Sequence, residues 1–443
     1  MRPMTTAIAL FTRDLRIADN PVLTAAHHDA DAVVPLFVVD ERIVPDHCPP
    51  NRAVFLAAAL AELDERLRGI RARLVVRHGD LADQVARVVD ETGAHAVHLA
   101  DDVSAFAARR AAALRDRLAD TGCAVRTHSA VVTAADPAVL TPATGRDHYA
   151  VFTPYFRRWI DAHQRRPLGS PRTLSVPDVA SDPLPTAAGL SSGDPSPNCP
   201  RGGEISGRVL LRKWLAGPID EYAARNDDLA ADATSHLSPH LHFGCLSPVE
   251  IVHRTDLSTE GGHAFARQLA WRDFHHQLLS ARPDTAWTSY RPGPFAVRDD
   301  PDAVAAWKEG RTGYPLIDAA MRQLVTDGWL PGRARLITAS FFAKSLRLDW
   351  RIGAAHFLHW LVDADVANNQ LNWQWAAGTG TDTRPNRTLN PLRQADRYDP
   401  DGTYTRHWLP ELAHLEGPTI HRPWRTDTPH STYPPPLLDV PGM

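Results

Sequence analysis

Lysine is almost missing from this 443-residue chain: only Lys213, Lys308 and Lys344 occur, so nearly all positive charge is arginine. Charge of either sign is not in excess. The formal net charge is −4, and residues 1–200 carry 22 Arg against 24 Asp and Glu. Net charge therefore gives no support for a nucleic-acid partner, and any such contact needs a local patch. Cysteine is sparse. Cys48, Cys123, Cys199 and Cys245 are scattered with no CxxC spacing, which excludes the common zinc and iron–sulfur patterns and fits a reducing, cytoplasmic setting. No apolar span reaches the ~20 residues of a membrane helix, and the N-terminal apolar run is too short for a signal peptide. Gly-x-Gly-x-x-Gly, a Gly-Lys-Ser/Thr phosphate loop and HExxH are all absent. Their absence argues against a dinucleotide-binding dehydrogenase, a P-loop NTPase and a zinc hydrolase. His236, His240 and His242 have no suitably spaced carboxylate, so no metal is expected.

Tryptophan is plentiful, but in one half only. Of 12 Trp, 11 lie at or after Trp214, and Trp159 alone precedes it. The composition, 43% hydrophobic and 23% charged, is that of a globular protein long enough for two or three domains. Val-rich runs at 6–12, 32–40, 72–79, 94–102 and 123–129 alternate with stretches of helical period. In one such stretch, 51–70, Val54, Leu56, Leu60, Leu63 and Leu67 fall on one side. This alternation predicts a parallel-sheet α/β domain over residues 1–130. Ligands of such sheets sit beyond the carboxyl ends of strands. The Arg13–Arg16 loop and Asp101-Asp102 are therefore either pocket residues or ordinary loop charges. A connecting region over 131–204 follows. Within it, 168–204 holds seven Pro among Ser, Gly and Asp, which predicts an extended segment laid over the surface. Helical periodicity dominates 205–443, giving an α/β plus all-α fold class.

Several local patterns carry chemistry. Thr234-Ser235-His236-Leu237-Ser238-Pro239 reads as a helix start rich in hydroxyls, suited either to plain capping or to holding phosphate. Gly310–Pro315 is a further helix start with no evident chemistry. Asp363 and Asp365 precede Asn368, Asn369, Gln370, Asn372, Trp373, Gln374 and Trp375. A core seldom holds so many polar groups unless a ligand satisfies them. Arg333, Arg335, Lys344, Arg347 and Arg351, then Arg384, Arg387, Arg393 and Arg397, interleave with aromatics. They read either as a groove for phosphates and unstacked bases or as a solvated face.

The ordered motifs FTRDLRIADNP, TSHLSPHLHFG, QLAWRDFHHQ, WKEGRTGYPLIDAAMRQL, GWLPGRARLITASFFAKSLRLDWRIG, DADVANNQLNWQWAAGTGTD and WLPEL resemble, nearly end to end, the photolyase/cryptochrome flavoproteins. They are most similar to class I bacterial DNA photolyases. The resemblance implies an N-terminal α/β antenna-type domain, a long linker and a C-terminal all-helical domain binding FAD and DNA. It also implies that light-excited reduced flavin donates an electron to a cyclobutane pyrimidine dimer flipped out of UV-damaged DNA, by a monomeric cytoplasmic lyase. Residue by residue, Tyr222, Thr234, Ser235, Leu237 and Ser238 match the loop around the FAD phosphates, and Arg272 the flavin-lining helix. Arg335 and Asp363 match an ion pair beside the isoalloxazine, with Asp365 in its shell and Asn369 facing flavin N5. Trp373 and Trp350 match the first two steps of a photoreduction chain. Trp271, Trp375, Trp329 and Arg333 fall at the lesion pocket. Arg13, Asp14, Arg52 and Asp102 match an antenna site for an 8-hydroxy-5-deazaflavin-type chromophore, methenyltetrahydrofolate being the common alternative.

Three positions depart from the pattern. Gln268 stands where most cyclobutane-dimer photolyases have Glu, so it can donate a hydrogen bond but not a proton. Gly332 replaces an Asn that contacts flavin and lesion. Val297 replaces the exposed third Trp of the photoreduction chain, with Trp287 or Tyr290 as candidate substitutes that spacing alone does not decide between. These departures motivate a competing reading, a cryptochrome-like photosensory flavoprotein with weak or no repair. A (6-4) photolyase shares the Gln, but needs a His where Pro331 and Gly332 stand. The chain stops soon after Trp424 in a Pro-rich end, without the expected signalling tail of a photosensor.

Overall fold

The computed structural model describes residues 4–40, 48–143, 145–162, 164–426 and 433–438; most of the Pro-rich end lies outside them. The chain forms two compact units that interleave along the sequence. One comprises residues 1–195, 200–217 and 235–283; the other 196–199, 218–234 and 284–443.

The first unit is built on a five-stranded parallel sheet, β1 (Thr6–Leu10), β2 (Ala32–Val39), β3 (Val75–His78), β4 (Ala96–Ala100) and β5 (Ala124–His128), in the order β3-β2-β1-β4-β5. Every β1 residue is buried, as expected for a central strand covered on both faces. All five Val-rich runs are strands. The helix Pro50–Arg68 buries Ala53, Phe55, Ala59, Leu60, Leu63 and Leu67. Its apolar face is turned slightly from the predicted one, leaving Val54 and Leu56 half-buried. Phe55 causes the rotation: its ring stacks on Phe243 at 4.7 Å and meets His240 edge-on at 5.2 Å.

The Pro-rich segment is extended apart from one helical turn at Ala187–Leu190, and its residues 181–182 lie along the exposed side of β3. Val76 N–H donates to Ser181 Oγ, Asp182 N–H to the Val76 carbonyl, and His78 N–H to Asp182 Oδ2. A strand edge covered in this way cannot pair with another chain.

Residues 235–283 also belong to this unit, although their periodicity is helical. The helix Glu260–Ala281 is fixed there by Asp273, which is 2% exposed. Its Oδ2 accepts from Trp159 Nε1 at 2.9 Å and from the Ala134 and Ala135 N–H groups at 2.9 and 3.0 Å. Gly244 makes a second tie possible. It has φ 66° and lies so close to the Arg13 carbonyl that a Cβ would sit 1.9 Å from that oxygen. Only glycine fits such an approach.

The second unit is helical, and no strand occurs among its described residues. Its core gathers Trp307, Phe341, Phe342, Phe357 and Trp373. The Gly310–Pro315 pattern opens the helix Pro315–Asp327 as predicted. Fully buried Asp318 organises this start, accepting from Thr312 N and Oγ1, Gly313 N and the Tyr433 hydroxyl. Gly353 lets the helix Trp350–Trp360 close on Trp373: a Cβ there would lie 2.2 Å from the indole.

Candidate functional site

In the second unit, the Gly332–Ser340 helix presents Arg335 to the segment before the Val366–Ala377 helix. Arg335 Nη2 donates to Asp363 Oδ2 at 2.8 Å, and Nε to the Leu330 carbonyl at 2.8 Å. Asp363 is 7% exposed, yet its Oδ1 is buried with no hydrogen-bond partner among the described residues. Thr234 Oγ1, in the hydroxyl-rich run, is likewise buried and unpartnered. Buried polar atoms of this kind are rare unless a ligand completes them. A flavin nucleotide fits, since it carries ring N–H and sugar hydroxyl donors for the carboxylate and phosphate oxygens for the hydroxyl. Asp365 is committed to the helix, its Oδ1 accepting from Asn368 N and Nδ2. Tyr222 is buried, and burial followed by the Asp227 charge raises its phenol pKa.

The amide cluster that followed the two carboxylates divides into two kinds. Gln374 Nε2 donates to the Thr285 and Thr288 carbonyls, and its Oε1 accepts from Tyr290 N. Gln370 Nε2 donates to the Ala286 carbonyl. Protein backbone thus satisfies two of the amides, which clamp the 285–290 segment. Asn369 Nδ2 donates to the Ala354 carbonyl and to Gln370 Oε1, which fixes its orientation on the helix.

Among the tryptophans, Trp373 is 2% exposed with Nε1 unpartnered. Its ring neighbours are Phe357 at 5.1 Å, with Trp307 and Phe342 at 5.8 Å. Trp350, also buried, makes no ring contact with Trp373 among the described residues. Its Nε1 donates to Ser289 Oγ and the Arg351 guanidinium lies over its ring at 5.1 Å. Trp375 is half-buried on the same helix as Trp373, and Trp329 is buried in the turn before Gly332. Trp307, a direct neighbour of Trp373, opens the WKEGRTGYPLIDAAMRQL motif, but no role beyond packing was legible for it there.

The first unit holds the remaining predicted residues. Leu237 and Ser238 begin a single helical turn, Ser238–His242, with no side-chain cap; the expected capping is confined to a long 3.4 Å bond from Leu237 N to Ser235 Oγ. Gln268 is exposed on the Glu260–Ala281 helix. Trp271 is half-buried, with one face stacked on Phe152 at 3.7 Å. Arg272 donates to the Val132 and Leu241 carbonyls. Arg13 Nη1 meets Asp102 Oδ2 at 3.3 Å and its Nε donates to the His242 carbonyl. Burial works to raise the Asp102 pKa, but the charges of Arg13, His276 and Arg110 outweigh it and leave the carboxyl below its usual value. Asp14 is fully buried and turned inward, accepting from Thr12 N at 2.8 Å and Asn20 Nδ2 at 3.3 Å, and burial raises its pKa. Arg52 is half-buried, and burial lowers its pKa.

Much of the basic cluster over 333–351 is engaged within the protein. Arg333 pairs with Asp227 and lies over the Tyr398 ring, Arg335 pairs with Asp363, and Lys344, 5% exposed, donates to the Arg387 carbonyl. Arg347 is exposed, as are Arg384, Arg387, Arg393 and Arg397. No group of metal-ligating side chains occurs among the described residues, and no helix there is long and apolar enough to cross a membrane.

Residues 7–174 match the family described as DNA photolyase, and residues 265–442 the FAD binding domain of DNA photolyase. The chain is 55% identical over 443 residues to a deoxyribodipyrimidine photo-lyase of Streptomyces griseus, covering 99% of this chain and 97% of that one. A crystal structure of a bacterial class III photolyase from Agrobacterium tumefaciens superposes with a TM-score of 0.91 at 32% identity, covering 99% of this chain and 95% of its own. An archaeal photolyase from Sulfolobus tokodaii, solved with two FAD molecules, superposes with a TM-score of 0.85 at 32% identity, covering 98% and 96%.

Proposed function

The chain belongs to the DNA photolyase family, and we propose from that membership that it repairs cyclobutane pyrimidine dimers in DNA, driven by light and dependent on FAD. The observation that carries the reading is the Arg335–Asp363 pair with one carboxylate oxygen buried and open. FAD held there in its reduced state would supply the light-driven electron transfer that opens the dimer.

The chain's own groups bind and orient. Asp363 would accept from a ring N–H through Oδ1, while Arg335 holds the carboxylate aimed. Asp365 positions that polar edge by capping the helix that carries Asn369, and Asn369 completes it from the first turn. Tyr222, Thr234, Ser235, Leu237 and Ser238 line the phosphates, and Arg272 braces the helix that carries Gln268 and Trp271. A flipped dimer costs a few kcal/mol to extrude. Trp271 and Trp375 recover part of that by stacking, Trp271 with the face that Phe152 leaves uncovered. Gln268 donates a hydrogen bond to a dimer carbonyl, and Trp329 and Arg333 shape the pocket wall. Trp373 and Trp350 act in reducing the cofactor. A second, antenna chromophore sits by Arg13, Arg52 and Asp102. Asp14 positions that loop, since its carboxylate already serves Thr12 and Asn20. The exposed Arg384, Arg387, Arg393 and Arg397 meet DNA phosphates, and the protein works as a cytoplasmic monomer.

Gln268 and Gly332 favour a second reading, a photosensory flavoprotein without repair. An illuminated assay of the reduced, FAD-loaded protein on defined cyclobutane and (6-4) lesions decides between them. Restoration of the cyclobutane substrate in light but not in darkness is expected. Intact dimers after illumination would overturn the repair assignment.

A further inference from the structure

We propose that Trp307 and Trp360 relay electrons to Trp373, giving the buried indole a second outlet toward the surface besides the Trp350 side; this rests on the photolyase reading above. The path is a chain of ring contacts. Trp373 meets Trp307 at 5.8 Å, nearly perpendicular, and Trp307 is completely buried. Trp307 meets His356 at 5.5 Å, and His356 meets the half-buried Trp360 at 6.5 Å, one turn further along the Trp350–Trp360 helix.

The Trp350 side is poorer in two respects. Arg351 stacks on Trp350 at 5.1 Å. The guanidinium also pairs with Asp349 Oδ1 at 3.1 Å, and the field it keeps over the ring makes removing an electron harder. And Val297, 64% exposed, stands where the resemblance expects the third indole, which leaves that side the exposed Trp287, whose carbonyl accepts from Arg351 Nε at 2.7 Å. Among the described residues no guanidinium or ammonium stacks on Trp307. His356 adds no charge at neutral pH, because burial, aided by Lys308, pushes its pKa down to about 4.

The electrons balance as follows. The electron that leaves Trp373 for the light-excited cofactor is replaced by one from Trp307, and that one by an electron from Trp360. Oxidised Trp360 releases its indole N–H proton to solvent. An external thiol then returns a hydrogen atom to the indolyl radical and becomes a thiyl radical.

The test uses the full chain loaded with oxidised FAD, under blue light, with dithiothreitol as the thiol. Loss of oxidised-flavin absorption gives the rate, and transient absorption identifies the radical. Trp360→Phe is expected to slow photoreduction several-fold. Trp360→Tyr is expected to restore much of the rate and to change the long-lived radical from indolyl to phenoxyl, a signature that a packing role would not produce. Trp307→Phe should slow the reaction as strongly; because Trp307 is core, the partly exposed Trp360 variants keep the test independent of folding. Wild-type rates and an unchanged radical spectrum in both Trp360 variants, with photoreduction abolished by Trp350→Phe or Trp287→Phe, would overturn the relay. Dimer repair by dithionite-reduced wild type checks the photolyase reading separately, since it bypasses photoreduction.

Discussion

Arg335 Nη2 holds Asp363 Oδ2 at 2.8 Å while the other carboxylate oxygen is buried and open. A hydrogen bond to a charged group contributes about 1.5–3 kcal/mol. Asp363→Asn keeps the shape but removes the charge that Arg335 neutralises. Flavin affinity is therefore expected to fall about 10- to 100-fold, read as the flavin-to-protein absorbance ratio after purification and by titration of apoprotein with FAD. Normal loading of the variant would remove Asp363 from the site.

Gln374 tests the division of the amide cluster. Its three bonds to Thr285, Thr288 and Tyr290 are all to backbone. Gln374→Leu strands buried backbone groups at about 1–3 kcal/mol each. A lowered urea midpoint and new proteolytic cleavage within 285–290 are expected. A variant of wild-type stability that only loses cofactor would show that Gln374 serves the ligand instead.

Gly332 is exposed at the start of its helix, and a Cβ there meets nothing within 4 Å. Gly332→Asn should change stability by no more than about 0.5 kcal/mol. One regained polar contact, about 0.5–1.5 kcal/mol, should tighten binding of dimer-containing DNA by about two- to tenfold. Competition with undamaged DNA measures this, and an unchanged ratio would argue that no lesion contact was missing.

Acid should weaken the α/β unit in two stages. His98 Nε2 bonds Asp29 Oδ2 at 3.1 Å and its Nδ1 meets His128 Nε2 at 3.0 Å, with the two rings stacked. Burial lowers both histidines, His128 to about 4. At His128 the unfolded chain takes up a proton as pH falls through about 6.5, while the folded chain does not until about 4, so stability drops across that window, and the lowered His98 acts in the same direction. Asp29 behaves differently. Burial alone would raise it, but Arg126 and His98 hold it to about 2, so its contribution is lost only below about pH 4. Urea midpoints across this range check the sign. His128→Gln, whose amide still donates to His98, should flatten the upper stage; an unchanged slope would place the titration elsewhere.

Much of this was legible in the chain. Val-rich runs separated by helical stretches determined a parallel sheet, because buried central strands need apolar residues on both faces. The Gly310–Pro315 pattern announced a helix start, because turn chemistry and a Pro in the first turn depend only on neighbouring residues. The ordered motifs pointed to the family before any contact was known.

Other features depended on residues far apart in sequence. That the 260–281 helix belongs with the α/β unit follows from one carboxylate, Asp273, meeting Trp159 and the 134–135 backbone. Helical periodicity reports which face is buried, not against what. The amides at 370 and 374 looked like ligand groups because sequence shows polar atoms and not the carbonyls 84 to 89 residues away that satisfy them. The scarcity of lysine leaves the proposed DNA contact to arginines. Only the fold decided that Arg333 and Arg335 face carboxylates while the 384–397 group faces water, because an ion pair is a matter of distance in space.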